Sequence, residues 1–158
     1  MRLALALACV LVAPLLASCS TDVAKRVPSN QVATSTGEAG EAAALISRYR
    51  VAQGLSPVTA DPRLSKAAEV QARAVAEAGE LSHGAFATRM ASLGIGGASA
   101  ENLTAGPRSV AAAVASWKAS PRHNDNLLMP EARHVGLARA DTPGAGYGRY
   151  WALVLSSR

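Results

Sequence analysis

The chain has 158 residues, a length that suggests one compact domain with an additional segment. Its 16 Lys and Arg residues against 11 Asp and Glu residues give a formal net charge of +5, a mild excess that fits weak attraction to anionic lipid or envelope polymer. No basic run is interleaved with aromatic residues, which argues against a nucleic-acid-binding protein, and we expect no nucleic acid partner.

The first 19 residues are typical of the export signal of a bacterial lipoprotein. An apolar run extends from Leu3 to Ala17 and is too short for an ordinary membrane-spanning helix. It ends in Leu-Ala-Ser-Cys, the pattern of a lipobox, in which Cys19 is acylated and becomes the first residue of the mature chain. We therefore predict a signal peptide over residues 1–18 and a lipoprotein anchored through Cys19 to the bacterial cell membrane or outer membrane. The alternative is an ordinary signal peptide, with Cys19 incidental.

Residues 19–36 are predicted to form a flexible tether, because they are rich in small and polar residues and show no apolar periodicity. The folded domain is predicted over residues 37–158. Its first part is helical: apolar residues recur at helical spacing from about Glu38, and Asp61-Pro62 marks a second helix that Gly79 ends. Further helices are predicted around two apolar sets, Phe86, Met90 and Leu93, and then Val110, Val114 and Trp117.

The end of the chain changes to the period of a strand. Residues 135–137 and 150–155 are predicted strands, joined by a glycine-rich loop over residues 142–148. No helix follows this loop, so we interpret it as a hairpin connection and not as a phosphate-binding loop. Helices first and an antiparallel hairpin last predict an α+β fold, in which Trp117 and Trp151 pack against the sheet.

Four short segments, in this order, resemble one known family. They are LSH ending at His83, AENLTAG over 100–106, SWKASPRHNDNLLMP over 116–130 and YWALVL over 150–155. Together they resemble the small bacterial members of the CAP superfamily, the SCP-domain proteins that include cysteine-rich secretory proteins, antigen 5 proteins and pathogenesis-related proteins. The resemblance implies a three-layer α-β-α sandwich with a small antiparallel sheet, in which the AEN segment is, or lies beside, another strand.

Residue spacing alone reveals no site. His83, Glu101 and His123 match no self-contained metal motif, HExxH is absent, and each residue has an ordinary structural use. The resemblance implies that the three line a central cleft, where some members bind a divalent ion such as zinc. The fourth position of that cleft, acidic in many eukaryotic members, is Ser120 here, a serine that bacterial relatives often share.

Two chemical interpretations of this trio stay open. Two imidazoles and one carboxylate could hold zinc with one position left for water, as in catalytic zinc sites. Alternatively, the carboxylate orients a neutral imidazole by accepting its N–H. His134 is predicted to be a strand-start or surface residue, and Ser82 is not predicted to be a nucleophile, since no oxyanion-loop pattern accompanies it.

We expect a membrane-tethered lipoprotein that binds an envelope lipid, glycan or protein through this cleft without catalysis. The alternative is a peptidase-like, zinc-dependent hydrolase that uses His83, Glu101 and His123. A third possibility is a structural surface protein with no ligand of its own.

Overall fold

The computed structural model describes residues 26–158. The predicted signal peptide, Cys19 and the first part of the predicted tether, up to residue 25, lie outside the described residues. The elements in the described range follow the order β1 (Ala33–Ser35), α1 (Ala39–Ala52), β2 (Thr59–Ala60), α2 (Pro62–Ala78), α3 (Phe86–Ser92), β3 (Ser99–Ala105), α4 (Val110–Ala119), α5 (Pro121–Leu127), β4 (His134–Asp141) and β5 (Arg149–Ser156).

The strands form one sheet in the order β1-β4-β5-β3, and the two-residue β2 pairs with the start of β4. β4 and β5 form the antiparallel hairpin that the sequence predicts, with the glycine-rich loop as its connection. The AEN segment is β3, antiparallel to β5 and at one edge of the sheet. The pairing of β2 with β4 is parallel.

Helices cover both faces of the sheet, because the alternating side chains of β5 are apolar on both sides. Tyr150, Ala152 and Val154 join a core cluster with α2 and α3. Trp151, Leu153 and Leu155 join a second cluster with α1 and α4, which also contains Trp117. The α+β class, the three layers and the burial of both tryptophans are therefore confirmed.

Helix α2 lies directly on the sheet. Asp61 caps it, since its Oδ1 accepts the backbone N–H of Arg63 at 2.7 Å, and Gly79 ends it in a left-handed conformation, both as predicted. Where α2 crosses β4, a Cβ atom on Gly136 would overlap the backbone of Leu64 and Ser65. Glycine at this position permits the close approach of helix and strand.

The predicted boundary of the tether at residue 36 is wrong. Val27 and Val32 are buried in the core, and β1 pairs with the end of β4, with Ala33 opposite Asp141. The domain therefore includes residues 27–36. The sequence gives little sign of this, because an edge strand is held by backbone hydrogen bonds that need no apolar periodicity.

No helix in the range 26–158 is both long enough and apolar enough to span a membrane.

Candidate functional site

The candidate site lies at the edge of the sheet formed by β3. Successive residues of a strand point to opposite faces, so Glu101 points toward α2 and α3 while Asn102 points toward α4 and α5. A loop from one helical layer and a helix from the other can therefore meet beyond this edge. His83 belongs to the loop between α2 and α3, and His123 belongs to α5.

Glu101 is the buried centre of the site. Its side chain is only 1% exposed, and both carboxylate oxygens have partners. His83 Nδ1 lies 2.9 Å from Oε1, and the guanidinium of Arg89 donates to Oε2. Burial raises the pKa of Glu101, while the hydrogen bond from His83 and the charge of Arg89 act in the opposite direction. The carboxylate thus fixes the ring of His83, whose own side chain remains 56% exposed.

Arg89 and Gln71 are site residues that sequence reasoning missed. The Arg89 guanidinium also donates to Gln71 Oε1, and the Gln71 amide donates to the carbonyl of Ser82. Together they tie α3 to α2 and hold the loop that carries His83. One signal was present in the sequence, since Gln71 is a long polar side chain on the largely apolar face of α2.

Two asparagines hold α5, and with it His123, against β3. Asn102 Nδ2 donates to the carbonyl of His123 at 2.9 Å, and Asn126 Nδ2 donates to Asn102 Oδ1 at 2.8 Å. Desolvation lowers the pKa of His123, and the nearby charge of His83 lowers it further. The structure therefore brings His83, Glu101 and His123 into one region, and it favours the neutral form of the His123 imidazole.

A buried arginine supports the site from the far side of α5. Arg50 is 0% exposed, and its guanidinium donates to four backbone carbonyls, those of Ser56, Leu127, Met129 and Ala132. Three of these carbonyls belong to the end of α5 and the loop that follows it. Arg50 therefore fixes the segment that joins α5 to β4.

The arrangement of Glu101 fits an orienting carboxylate better than a metal ligand. Both of its oxygens are engaged, and the contact with His83 Nδ1 leaves the Nε2 atom of that ring available. Among residues 26–158, no three His, Cys, Asp or Glu side chains are grouped so that they could hold a metal ion. Zinc binding by His83, Glu101 and His123 stays a prediction.

The other residues considered in the sequence have local roles. Ser120 lies at the junction of α4 and α5, where its carbonyl accepts the N–H of Asn124 at 2.8 Å. Ser82 Oγ accepts the N–H of Gly84 at 3.2 Å. His134 begins β4, on the other side of β5 from β3, and its Nδ1 lies 3.1 Å from the Thr59 hydroxyl.

Comparisons with known proteins agree with this architecture. The sequence model of a family described as "CAP: Cysteine-rich secretory protein family" matches residues 43–155. Among curated proteins, none matches the sequence of this chain.

Solved structures that are similar to the chain include three bacterial proteins. An outer surface protein of Borrelia burgdorferi is similar with a TM-score of 0.68 and 22% identity, over 78% of this chain and 96% of that one. An extracellular protein containing an SCP domain, from Bacillus anthracis str. Ames, is similar with a TM-score of 0.67 and 19% identity, over 77% of this chain and 41% of that one. A cysteine-rich secretory protein of Staphylococcus aureus subsp. aureus Mu50 is similar with a TM-score of 0.62 and 16% identity, over 77% of this chain and 38% of that one. At these identities the likeness concerns the fold.

Proposed function

Since this chain belongs to the CAP family of cysteine-rich secretory proteins, we propose that it is an exported, membrane-anchored bacterial lipoprotein that binds an envelope ligand through His83 and His123. One observation supports the binding role: the buried carboxylate of Glu101 orients the imidazole of His83, which is exposed. An exposed polar group that is held in one orientation loses little entropy when it binds a ligand.

Export is supported by the sequence of the first 19 residues and by the relatives, and anchoring is supported by the lipobox that ends at Cys19. Similar structures come from proteins described as outer surface and extracellular. The two or three acyl chains of a lipoprotein cysteine hold a protein durably at a membrane, whereas one chain gives marginal attachment. Cys19→Ala should therefore release or mis-sort the protein. Membrane fractionation that is the same for both proteins would rule out the anchor.

The ligand is proposed to be a lipid, glycan or protein of the envelope, because that is the compartment in which an anchored domain works. Binding of the unlipidated protein, made as Cys19→Ser, to purified peptidoglycan and to monomeric envelope lipid should be compared for wild type, His83→Ala and His123→Ala. The matched control is His134→Ala, which removes a histidine outside the site. Binding should be lost in the first two variants and kept in the control. Equal binding by all four proteins would contradict the proposed role of these histidines.

A zinc-dependent hydrolase is the second candidate, and one contact favours it. In many metal sites a ligating imidazole uses its second nitrogen to contact a carboxylate, as His83 contacts Glu101. His83 and His123 would hold the metal, and Glu101 would orient His83. Bound zinc would lower the pKa of a water molecule and permit hydrolysis.

Metal content and zinc titration distinguish the two candidates. Stoichiometric zinc in wild type and in His134→Ala, but not in His83→Ala or His123→Ala, would favour the hydrolase. In that case Glu101→Gln should weaken zinc affinity about 10- to 100-fold, as expected for loss of an orienting carboxylate. Absence of zinc from a folded wild-type protein would leave the two imidazoles as part of a binding surface.

A further inference from the structure

The turn between β4 and β5 lies at one end of the molecule, beside the first of the described residues, Arg26. A cavity of about 480 Å³ is lined by Arg108, Tyr147 and Arg149 together with Pro143 and Gly144. A second cavity, of about 390 Å³, is lined by Arg26 and shares Pro143 and Gly144 with the first. The two adjoin at Pro143 and Gly144, and we call them together the turn surface, formed by Arg26, Arg108, Pro143, Gly144, Tyr147 and Arg149.

The turn surface is basic and carries an exposed aromatic ring. No Asp or Glu lines either cavity. Within the described part of the chain, Arg26 and Arg108 form no ion pair, whereas Arg149 pairs with Asp141 at 2.6 Å. Tyr147 is 64% exposed, the most exposed of the large apolar and aromatic side chains in the described range. Arginine and tyrosine together are typical of surfaces that meet lipid headgroups.

The length of chain before Arg26 limits which side of the domain can face a membrane. Cys19 precedes Arg26 by seven residues, and even a fully extended chain of that length spans only about 25 Å. A globule of this size is roughly 36 Å across. If the acyl chains are on Cys19, the side of the domain opposite Arg26 cannot reach the membrane, while the turn surface lies within reach.

We propose that the turn surface docks onto anionic lipid headgroups of the membrane that holds the acyl chains of Cys19; this inference rests on the proposed anchor. Arg26 and Arg108 contact phosphate groups, and Tyr147 lies at the level of the headgroups. Along β5, Val154, which pairs with Glu101, is five residues from Arg149. The candidate site therefore lies about 16 Å along the sheet from the docked end, close to the membrane surface.

The test uses the mature protein purified from membranes and reconstituted in vesicles. Tyr147→Cys introduces a thiol for an environment-sensitive fluorophore, because the mature chain has no other cysteine than the acylated Cys19. The matched control for labelling is Val51→Cys, an exposed position at the end of α1. Vesicles of phosphatidylcholine alone are compared with vesicles that also contain phosphatidylglycerol. The mass of the peptide that contains Cys19 reports acylation in the same sample.

Docking predicts a blue-shifted emission at position 147 only with phosphatidylglycerol, reversed by high salt, and no change at position 51. In the unlipidated protein made as Cys19→Ser, vesicle affinity should fall by roughly fivefold for each arginine removed in Arg26→Gln and Arg108→Gln. Arg48→Gln, which removes an exposed charge from α1, should leave that affinity unchanged.

The outcomes separate the docking surface from the anchor. If Cys19 carries no acyl group, the anchor fails, and the docking inference fails with it because the reach argument is lost. If Cys19 is acylated but emission at position 147 is the same in both kinds of vesicle, only the docking inference is overturned. An equal loss of affinity in Arg48→Gln and Arg108→Gln would likewise overturn it, since net charge and not the turn surface would then determine binding.

Discussion

Replacing Arg50 by methionine should destabilise the domain strongly, because it removes a buried donor from four backbone carbonyls. A hydrogen bond from a charged donor contributes about 1.5–3 kcal/mol, and bonds within one network do not add fully. Desolvation of the guanidinium, which also lowers the pKa of Arg50, offsets part of the sum. We therefore expect Arg50→Met to lower the free energy of unfolding by about 3–5 kcal/mol, because four backbone carbonyls lose their donor.

Urea unfolding followed by tryptophan fluorescence measures this loss, because Trp117 and Trp151 are both buried and become exposed on unfolding. With a typical dependence on urea for a domain of this size, the midpoint should fall by about 2 M. Arg50→Lys keeps the charge but has three donors and no planar fork, so its loss should be smaller. The matched control is Arg48→Met, on the exposed side of the same helix, which should change stability by less than about 0.5 kcal/mol.

The reasoning would be refuted if Arg50→Met unfolded at the same urea concentration as Arg48→Met. Such a result would mean that water or a local rearrangement satisfies the four carbonyls as well as the guanidinium does. The segment after α5 would then not depend on Arg50 for its position.

Three further predictions follow from individual residues. Gly136→Ala should lower the free energy of unfolding by about 3 kcal/mol, because the added Cβ overlaps the backbone of α2. Gly40 has open space around it, so Gly40→Ala should cause no such loss, and thermal melts of the two variants measure the difference. Burial raises the pKa of Glu101, so the folded protein binds a proton on this carboxyl more tightly than the unfolded chain does. The stabilisation that results is greatest below the pKa of the unfolded carboxyl and is lost as the pH rises through the higher folded pKa. Glu101→Gln should abolish that fall, which urea unfolding between about pH 4 and pH 7 would detect, and an unchanged pH profile would contradict it. His83→Ala should raise the pKa of His123 part of the way toward its ordinary value near 6.5, since burial, the larger cause, remains; an unchanged NMR titration of His123 would show that the two rings do not interact.

Features that depend on neighbours along the chain could be predicted from the amino-acid sequence. Asp61 before Pro62 and Gly79 after the last apolar residue set the ends of α2, because caps act within one turn of a helix. The change from helical to strand periodicity identified β5, whose two apolar faces require a layer of helices on each side. The short segments around His83, Glu101 and His123 identified the family, which the match over residues 43–155 confirmed.

The hydrogen-bond and ion-pair partners of individual residues could not be predicted in this way, because they depend on the folded structure. Arg50 reaches the carbonyl of Leu127 across 77 positions of sequence, and the charge of Arg89 is directed to Glu101 rather than to solvent. Residues 27–36 join the domain because β1 pairs with the edge of β4 and because Val27 and Val32 are buried in the core. Hydrogen bonds between distant segments depend on the geometry of the folded backbone, which arises only after the core has formed. The periodicity of residues along the chain therefore does not predict them.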